Sequence, residues 1–474
     1  MNNATYMRNL VVSFFDENSP VTKIFLQHFD SLNLDRERIL QLVGPDIEDN
    51  LIYHSFSDSA MQEPYEPFLG IIKEYYLKYY ADRYSVTEFC EETNVYFSHK
   101  CIFESYIEKG SASRIEPIIV SDFEYEYKKM IESLVRMLCF ISKEHKLYIA
   151  LNNFKRAGLG TINIVEELLR CDNDIRLMIV YSELSVIELF KEESFKRVIQ
   201  CAEDKMLLYE CEGADKPQIT EASPSFCVNK SKLYDDIKKL NNMYFFLDAE
   251  DAEYYMHIIY DKLVGEKYKV SDKNKFYFIV HRILTCILLK KNNTALFMSD
   301  NLIGLFDPVN DMRDSYVFNY VNCMAQMSMN QTNVAYKYAE ECKRIATRIG
   351  DKKLELDAEV LGITITYGGW RDVFSVDFQN VSVDENIVKH LEEEGYYNTL
   401  TYYCAYGRDN DTESIKQIVE GRRKPAYEYA RKICEVTGNM NAMLSIYTKN
   451  TVMFTDKGYH KYVNRFYEEK FVIH

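Results

Sequence analysis

Apolar residues recur along most of the chain at a helical period. Ile71, Ile72, Tyr75, Tyr76, Tyr79 and Tyr80 fall on one stripe, as do Met130, Leu134, Leu138 and Ile141, and again Phe276, Ile279, Ile283 and Ile287. Such stretches greatly outnumber alternating ones, so the pattern predicts helices from Phe68 nearly to the C-terminus. Gly110-Ser111-Ala112-Ser113, Asn152-Asn153, Asn292-Asn293 and Gly368-Gly369 mark loops between them. The segment 211–229, with Gly213, Pro217 and Pro224, has no period and predicts a long loop.

The opening of the chain differs. A helix is predicted over Val21–Leu32, with Ile24, Phe25, His28, Phe29 and Leu32 on one face. Asn33 or Asp35 would cap a second helix carrying Ile39, Leu40 and Val43, closed by Gly44-Pro45. A third would run from Ile47 to Phe56. Three short helices with a glycine between the second and third have the outline of a helix-turn-helix unit. Pro64 and Pro67 then break the chain, which places a small helical domain at 1–62 and a long helical body at 63–474.

Within the body, 315–367 is the clearest repeat unit. Val317, Tyr320, Val321, Met324 and Met327 line one helix, and Gln331-Thr332-Asn333 makes a turn. Ala335, Tyr338, Ala339, Cys342, Ile345 and Ile349 line a second. Gly350-Asp351 turns again into a third, with Leu354, Ala358, Leu361 and Ile365. Small residues at Cys323, Ala335, Ala339 and Cys342 permit close helix crossing, as in tetratricopeptide units, although no clean 34-residue periodicity is present. A further pair is predicted over 425–437 and 441–448. Helix pairs that cannot bury their faces alone stack side by side, so the predicted fold is all-α: a right-handed, tetratricopeptide-like superhelix of helix pairs with a concave face, behind a degenerate helix-turn-helix domain.

Composition narrows the function classes. Apolar residues are 47% and charged residues 27% of the 474, which excludes a disordered chain. Only 17 Gly and 9 Pro imply few tight turns. The net charge of −16 opposes whole-chain attraction to DNA or to an anionic membrane. No apolar run approaches the roughly 18 residues that span a bilayer, and Leu10–Phe15 is too short for a secretory signal. Twelve scattered cysteines without C-x-x-C predict reduced, mostly buried thiols in a cytoplasm, with no metal.

No catalytic constellation stands out. Gly158-Leu159-Gly160-Thr161 opens a helix, yet without a preceding buried strand or a Lys-Ser/Thr pair it reads as a plain capped turn rather than a phosphate loop. No H-x-x-x-H, H-E-x-x-H or G-x-S-x-G occurs, and His281 reads as a wall or core histidine. Paired acids such as Glu91-Glu92, Glu166-Glu167 and Glu192-Glu193 read as solvated faces. The 38 tyrosines, against one tryptophan, serve interhelical packing or a peptide groove. The basic group Arg422, Arg423, Lys424, Arg431 and Lys432 reads as helix-end charges paired with Glu420 and Glu428. No cofactor is implied.

Several stretches nevertheless resemble a known family. Phe68-Leu-Gly-Ile-Ile-Lys-Glu-Tyr-Tyr and Ala81-Asp-Arg-Tyr-Ser-Val-Thr-Glu-Phe-Cys90 resemble the first body helices of arbitrium receptors, the phage communication-peptide receptors that control lysis versus lysogeny. Tyr316-Val-Phe-Asn-Tyr-Val, the helix at Ala335–Ile349 and the Gly369-Trp370-Arg371 corner are similar to that family too. The similarity covers about 65–110 and 275–450, while 110–270 aligns poorly. It implies a homodimer in the cytoplasm of a bacterial host, a short linear peptide in the superhelix, operator DNA bound by the N-terminal domain, and no catalysed reaction.

Carried over residue by residue, the resemblance implies a peptide site at Arg282, Cys286, Lys290, Arg313, Asn322 and Glu435, with Glu435 meeting an arginine of the peptide. Cys286 and Lys290 stand where the family has asparagines, which implies a different peptide. DNA contacts would fall to Arg36, Arg38 and Asn50. The would-be recognition helix holds Asp46, Glu48 and Asp49 with no Lys or Arg, and residues 1–60 carry a net −5. Phosphate contacts need cations, so a second expectation stands beside the first: a peptide-responsive, protein-binding scaffold that does not bind DNA. A third, an enzyme without a recognisable signature, would show itself by a cofactor in the purified protein.

Overall fold

The computed structural model describes residues 3–368, apart from 17, 29–33, 58–59, 97–98, 115–122, 212–232, 265–270, 301 and 306–310. The calls on Glu435, the tyrosines near 400, the basic group near 430 and the 211–229 loop (all but Cys211) therefore lie outside the described residues. The chain divides into two compact units. Unit 1 takes the described residues up to Val95, with Ile102–Ala112 and Tyr127–Lys269; unit 2 takes Tyr96–Cys101, Ser113–Glu126 and the described residues after 270.

Unit 1 is where the expected architecture changes. In chain order its elements are α1 (Asn3–Phe15), β1 (Lys23–His28), α2 (Arg36–Val43), β2 (Leu51–Ser55), α3 (Phe68–Tyr75), α4 (Val86–Glu92), α5 (Lys100–Lys109, from Ile102 on) and α6 (Phe123–Glu144, from Tyr127 on). There follow β3 (Tyr148–Asn152), α7 (Leu159–Arg170), β4 (Arg176–Ser182), α8 (Glu192–Asp204), β5 (Leu208–Cys211), α9 (Leu233–Phe245) and α10 (Ala249–Val264). The five strands form one sheet in the order β2-β3-β4-β1-β5, parallel at every pairing. The chain is mostly helical, as its periodicity predicts, but it is not all-α.

Two of the three predicted N-terminal helices are strands. Ile24, Phe25 and Leu26 are wholly buried because β1 sits between β4 and β5, covered on both faces. A strand buried on both faces reads as a continuous apolar run, which periodicity cannot separate from a buried helix. Ile24 faces Met178 and Phe25 faces Ile179 across one ladder; Phe25 faces Leu208 across the other. Leu51–Ser55, expected inside a helix, pairs with Tyr148–Asn152. Only the middle helix forms as predicted: the Asp35 carboxylate accepts the Arg38 N–H at 2.8 Å, and Gly44 ends α2 at φ 109°, a conformation that favours glycine. Residues 1–62 thus fold together with 148–211 rather than as a separate helical domain.

Alternation along the strands sorts the core into two layers. Val11, Phe14 and Phe15 of α1 and Ile39 of α2 pack on Ile24, Leu26, Tyr148, Ala150, Met178 and Val180. On the other face Phe195 of α8 meets Tyr181 edge to face at 5.4 Å. Arg176 fixes α1 to the sheet: its guanidinium donates to the carbonyls of Phe14 at 2.6 Å, Val21 at 2.9 Å and Ser19 at 3.1 Å, satisfying acceptors that a helix end leaves open. The tyrosine cluster at 75–80 closes α3 with a π-turn over Tyr76–Tyr80. Tyr75, Tyr76 and Tyr80 are buried, and Tyr79 stacks on His145 at 4.0 Å, so these rings pack rather than line a groove.

Unit 2 holds α11 (Asp272–Leu288), α12 (Asn292–Asp300), α13 (Met312–Ser328), α14 (Thr332–Ile349) and α15 (Lys352–Gly368). The predicted unit at 315–367 forms with these three last helices, and Cys323, Ala335, Ala339 and Cys342 are all buried. The construction repeats every forty positions. Ser271, Asp311 and Asp351 each accept a backbone N–H three residues on, from Asn274, Asp314 and Leu354. Lys290 and Asn330 both turn at positive φ, 60° and 58°. Lys291 N–H then bonds Cys286 O at 2.8 Å, and Gln331 N–H bonds Gln326 O at 2.9 Å, the same helix-terminating motif. Lys273 pairs with Asp311 at 2.7 Å as Arg313 pairs with Asp351 at 3.0 Å.

Because Phe25 is fully buried in a central strand, Phe25→Ala is expected to cost about 3–5 kcal/mol. Urea unfolding followed by circular dichroism measures it; a loss under about 1 kcal/mol would contradict the strand assignment.

Candidate functional site

In an open parallel sheet, ligands sit beyond the carboxyl ends of the strands where the chain order reverses. Here that place lies between β1 and β4, since the chain leaves β1 toward the β2 edge and leaves β4 toward β5. The residues after β1, Phe29-Asp30-Ser31-Leu32-Asn33-Leu34-Asp35, contain neither glycine nor lysine, and the N-terminus of α2 is already capped by Asp35. At the end of β4, Glu183 accepts from Gln27 Nε2 at 2.8 Å and from Lys155 Nζ at 3.3 Å. Lys155 is buried and also donates to the Glu183 carbonyl at 3.2 Å. A phosphate here would have to displace a carboxylate from its cation.

The Gly158 corner shows the same substitution. A buried strand, β3, does precede it, contrary to expectation, but the corner is filled by the chain itself. Leu159 N–H donates to Asp251 Oδ2 at 2.6 Å and Gly158 N–H to Gln62 Oε1 at 3.0 Å. A Cβ on Gly160 would lie 2.5 Å from the Tyr65 ring, so only glycine fits. Lys191 stands 3.8 Å from the other Asp251 oxygen. Burial pushes the Asp251 carboxyl above its ordinary range, while Lys191 and the N–H groups of Leu159 and Gly160 pull it down. Burial and Asp251 together push Asp248 well up. The reading as a capped turn agrees with this geometry, and the cap comes from α10, far along the chain.

Other expected features divide. Glu166 is no solvated acid: it is buried and bridges Arg170 at 2.5 Å and Arg197 at 3.2 Å. Among the described residues no three His, Cys, Asp or Glu gather as metal ligands, and no helix is long and apolar enough to cross a membrane. Cys90, Cys286, Cys323 and Cys342 are buried thiols, while Cys101, Cys139, Cys171 and Cys201 are partly exposed.

The residues expected to read DNA are engaged locally. Arg36 pairs with Glu48 at 3.2 Å, Arg38 donates to Gln41 at 3.3 Å, and the Asn50 carbonyl accepts Tyr148 N–H at 3.3 Å beside the β2–β3 ladder. None lies on a recognition helix, because the expected helix is β2.

The expected peptide residues lie in unit 2. Arg282 and Cys286 are buried one turn apart on α11, and Asn322 is buried on α13. Lys290 is the turn residue after α11 and pairs with Glu124 at 2.7 Å; exposed Arg313 pairs with Asp351. Superposing the forty-residue repeat puts Arg282 level with Asn322, and Cys286 level with Gln326. The sequence reading missed Thr285, Asn319 and Gln326, buried polar residues of the same two helices. The Thr285 hydroxyl and the Gln326 carbonyl oxygen are buried without a hydrogen-bond partner, an arrangement that ordinary cores avoid. The only signal in the sequence was the forty-residue offset, which sets Gln326 against Cys286; Thr285 falls level with Ala325 and Asn319 with Ile279, so the repeat did not point to them. His281, beside Arg282, is pushed down to about 4 by burial, which keeps it neutral.

Unit 2 also holds a buried charge cluster. Arg114 donates to both oxygens of Glu126, with His99 Nε2 at 3.7 Å. Burial would raise the Glu126 carboxyl, but Arg114 and His99 outweigh it and hold it at about 2.

In comparisons with protein-family models, curated proteins and solved structures, nothing matches this chain.

Glu126→Gln would leave the Arg114 guanidinium buried and uncompensated, at an expected cost of about 3–5 kcal/mol. Because the folded carboxyl titrates below the unfolded one, its stabilisation is present above about pH 4.5 and is lost as pH falls toward 2. Thermal melts between pH 7 and 3 should therefore decline more steeply in the parent than in E126Q; parallel slopes would refute the assignment.

Proposed function

We propose that the protein is a peptide-responsive, protein-binding receptor. Its helix pairs stack as a tetratricopeptide-like superhelix that takes up a short extended peptide, and it carries out no reaction. The observation that carries this reading is the buried polar row on successive repeats: Arg282, Thr285 and Cys286 on α11, then Asn319, Asn322 and Gln326 on α13. An extended peptide brings unpaired backbone amides, and within this row the Thr285 hydroxyl and the Gln326 carbonyl oxygen are buried without a hydrogen-bond partner, groups that such a backbone can satisfy. Repeat arrays present equivalent positions side by side along one surface.

The scaffold reading is favoured over an arbitrium-like regulator that grips operator DNA. Strands occupy the positions where a DNA-reading helix pair would be, and Arg36 is spent on Glu48. Unit 1 then serves as a partner-binding module rather than a DNA-binding one.

The test is calorimetry of the full-length protein with short peptides encoded beside its gene. Saturable binding is expected, weakened about tenfold or more (about 1.4 kcal/mol) by Asn322→Ala or Gln326→Leu. A gel shift at low salt with the flanking intergenic DNA should give no specific complex. Absence of saturable peptide binding would end the receptor reading, and a specific, salt-sensitive shift would restore the DNA-binding one.

A further inference from the structure

Two lysines from distant parts of unit 1 converge on the turn at Gly110. Gly110 follows α5 in the left-handed region, at φ 66°, and its N–H bonds the Tyr106 carbonyl at 2.8 Å where the helix ends. A Cβ on Gly110 would lie 3.4 Å from Lys238 Nζ of α9 and 3.8 Å from Lys73 Nζ of α3. Both ammonium groups thus gather over one backbone position. The turn is held from α9. Asn242 Oδ1 accepts the Ala112 N–H at 2.9 Å, and Asn241 Nδ2 donates to the Ala112 carbonyl at 3.1 Å and to Ser111 Oγ at 3.3 Å. Lys238, Asn241 and Asn242 share one face of α9, so the helix that fixes the turn also brings a lysine to it.

The end of α5 accounts for only one of these charges. Lys73 donates to the Tyr106 carbonyl at 3.1 Å and lies over the Tyr106 ring at 4.8 Å, as a cation at a helix C-terminus should. Lys238 is exposed, and among the described residues no hydrogen bond or ion pair engages it. Glu63 acts on both lysines, but burial pushes its carboxyl above the ordinary range and it faces Lys239 at 3.9 Å. Burial and Lys238 lower the Lys73 amine below its ordinary range, against the pull of Glu63. Like charges this close repel, and an anion touching both removes the repulsion.

We propose that Lys73, Lys238 and the Ser111 hydroxyl bind a phosphate group, either inorganic phosphate or a phosphate monoester. A phosphate has enough acceptor oxygens to take one donor from each lysine and a third from Ser111, whose own oxygen already accepts from Asn241 and whose O–H is left to donate. Lysine binds phosphate as a point charge without a planar geometry to satisfy, which suits two flexible side chains over a turn. A carboxylate would bring one charge to two cations, whereas a phosphate monoester brings nearly two at neutral pH.

The test uses the full-length protein at constant ionic strength, with chloride replaced stepwise by inorganic phosphate or by ribose 5-phosphate. Acetylation of each lysine by acetic anhydride is read by peptide mass spectrometry. Saturating phosphate should slow acetylation of Lys73 and Lys238 by about tenfold or more, with one common midpoint, while Lys196, an exposed lysine of α8, reacts at an unchanged rate. Calorimetry should give the same midpoint, and Lys238→Met should weaken binding by about tenfold or more. Because Lys238 is exposed and unpaired, the circular dichroism spectrum of K238M should match the parent. Co-sedimentation with phosphatidylcholine vesicles, with and without phosphatidic acid, distinguishes the sources of the phosphate. Pelleting that needs phosphatidic acid and is lost in K238M assigns a lipid headgroup; protection by the soluble phosphates without pelleting assigns a free one. Acetylation of Lys73 and Lys238 that phosphate leaves unchanged, protection no greater than at Lys196, or calorimetric binding unchanged in K238M would each overturn the proposal.

Discussion

Unit 1 depends on one constraint: Ile24-Phe25-Leu26 is a strand with no exposed face. Burial on both sides places β1 between β4 and β5 and demands a helical layer above and below the sheet. Because every pairing is parallel, no neighbour can be reached by a tight hairpin, and each connection must cross over through helix. The connection from β2 to β3 carries α3 to α6, which is why residues 68–144 look like an autonomous helical body when read alone. The Arg176 clamp on the carbonyls at 14, 19 and 21 follows from the same demand, since α1 must be held against the sheet where the chain turns into β1.

Unit 2 answers a different constraint. A helix pair cannot bury both of its faces alone, so it recruits the next pair, and the recruitment is written in caps and turns rather than in residue identity. Ser271, Asp311 and Asp351 differ in kind or context but do the same work at the same offset. Lys290 and Asn330 share a left-handed backbone that asparagine favours and lysine does not advertise. Against this regular frame the polar row on α11 and α13 stands out. Packing would prefer apolar side chains there, and the Thr285 hydroxyl and the Gln326 carbonyl oxygen are left without partners.

Legibility of the sequence followed these physical differences. Long amphipathic helices such as α6 and α13 to α15 were readable because one face meets solvent and the period survives. The cap at Asp35 and the stop at Gly44 were readable because each is a local rule. β1 was not, because full burial erases alternation, and β2 was not, because its partner β3 lies almost a hundred positions away. The forty-residue repeat escaped a search for a 34-residue consensus. The capped corner at Gly158 was judged correctly on its missing lysine, yet its capping acid, Asp251, could not be known without the fold. Of the site residues carried over by resemblance, Arg282 and Asn322 occupy equivalent repeat positions, whereas Lys290 and Arg313 form ion pairs at the ends of helices.

The two units also differ in what their electrostatics will admit. Among the described residues of unit 1, three positions that would attract an anion are answered from within: Asp35 caps α2, Asp251 caps α7, and Glu183 takes the buried Lys155. Each internal carboxylate supplies the charge that a bound phosphate would otherwise bring, and it does so without the entropy loss of capturing a ligand. In unit 2 the Thr285 hydroxyl and the Gln326 carbonyl oxygen, buried without partners, belong to neutral functions that match a peptide backbone and not a phosphate. Under the receptor reading proposed above, discrimination would come from hydrogen-bond register along the repeat.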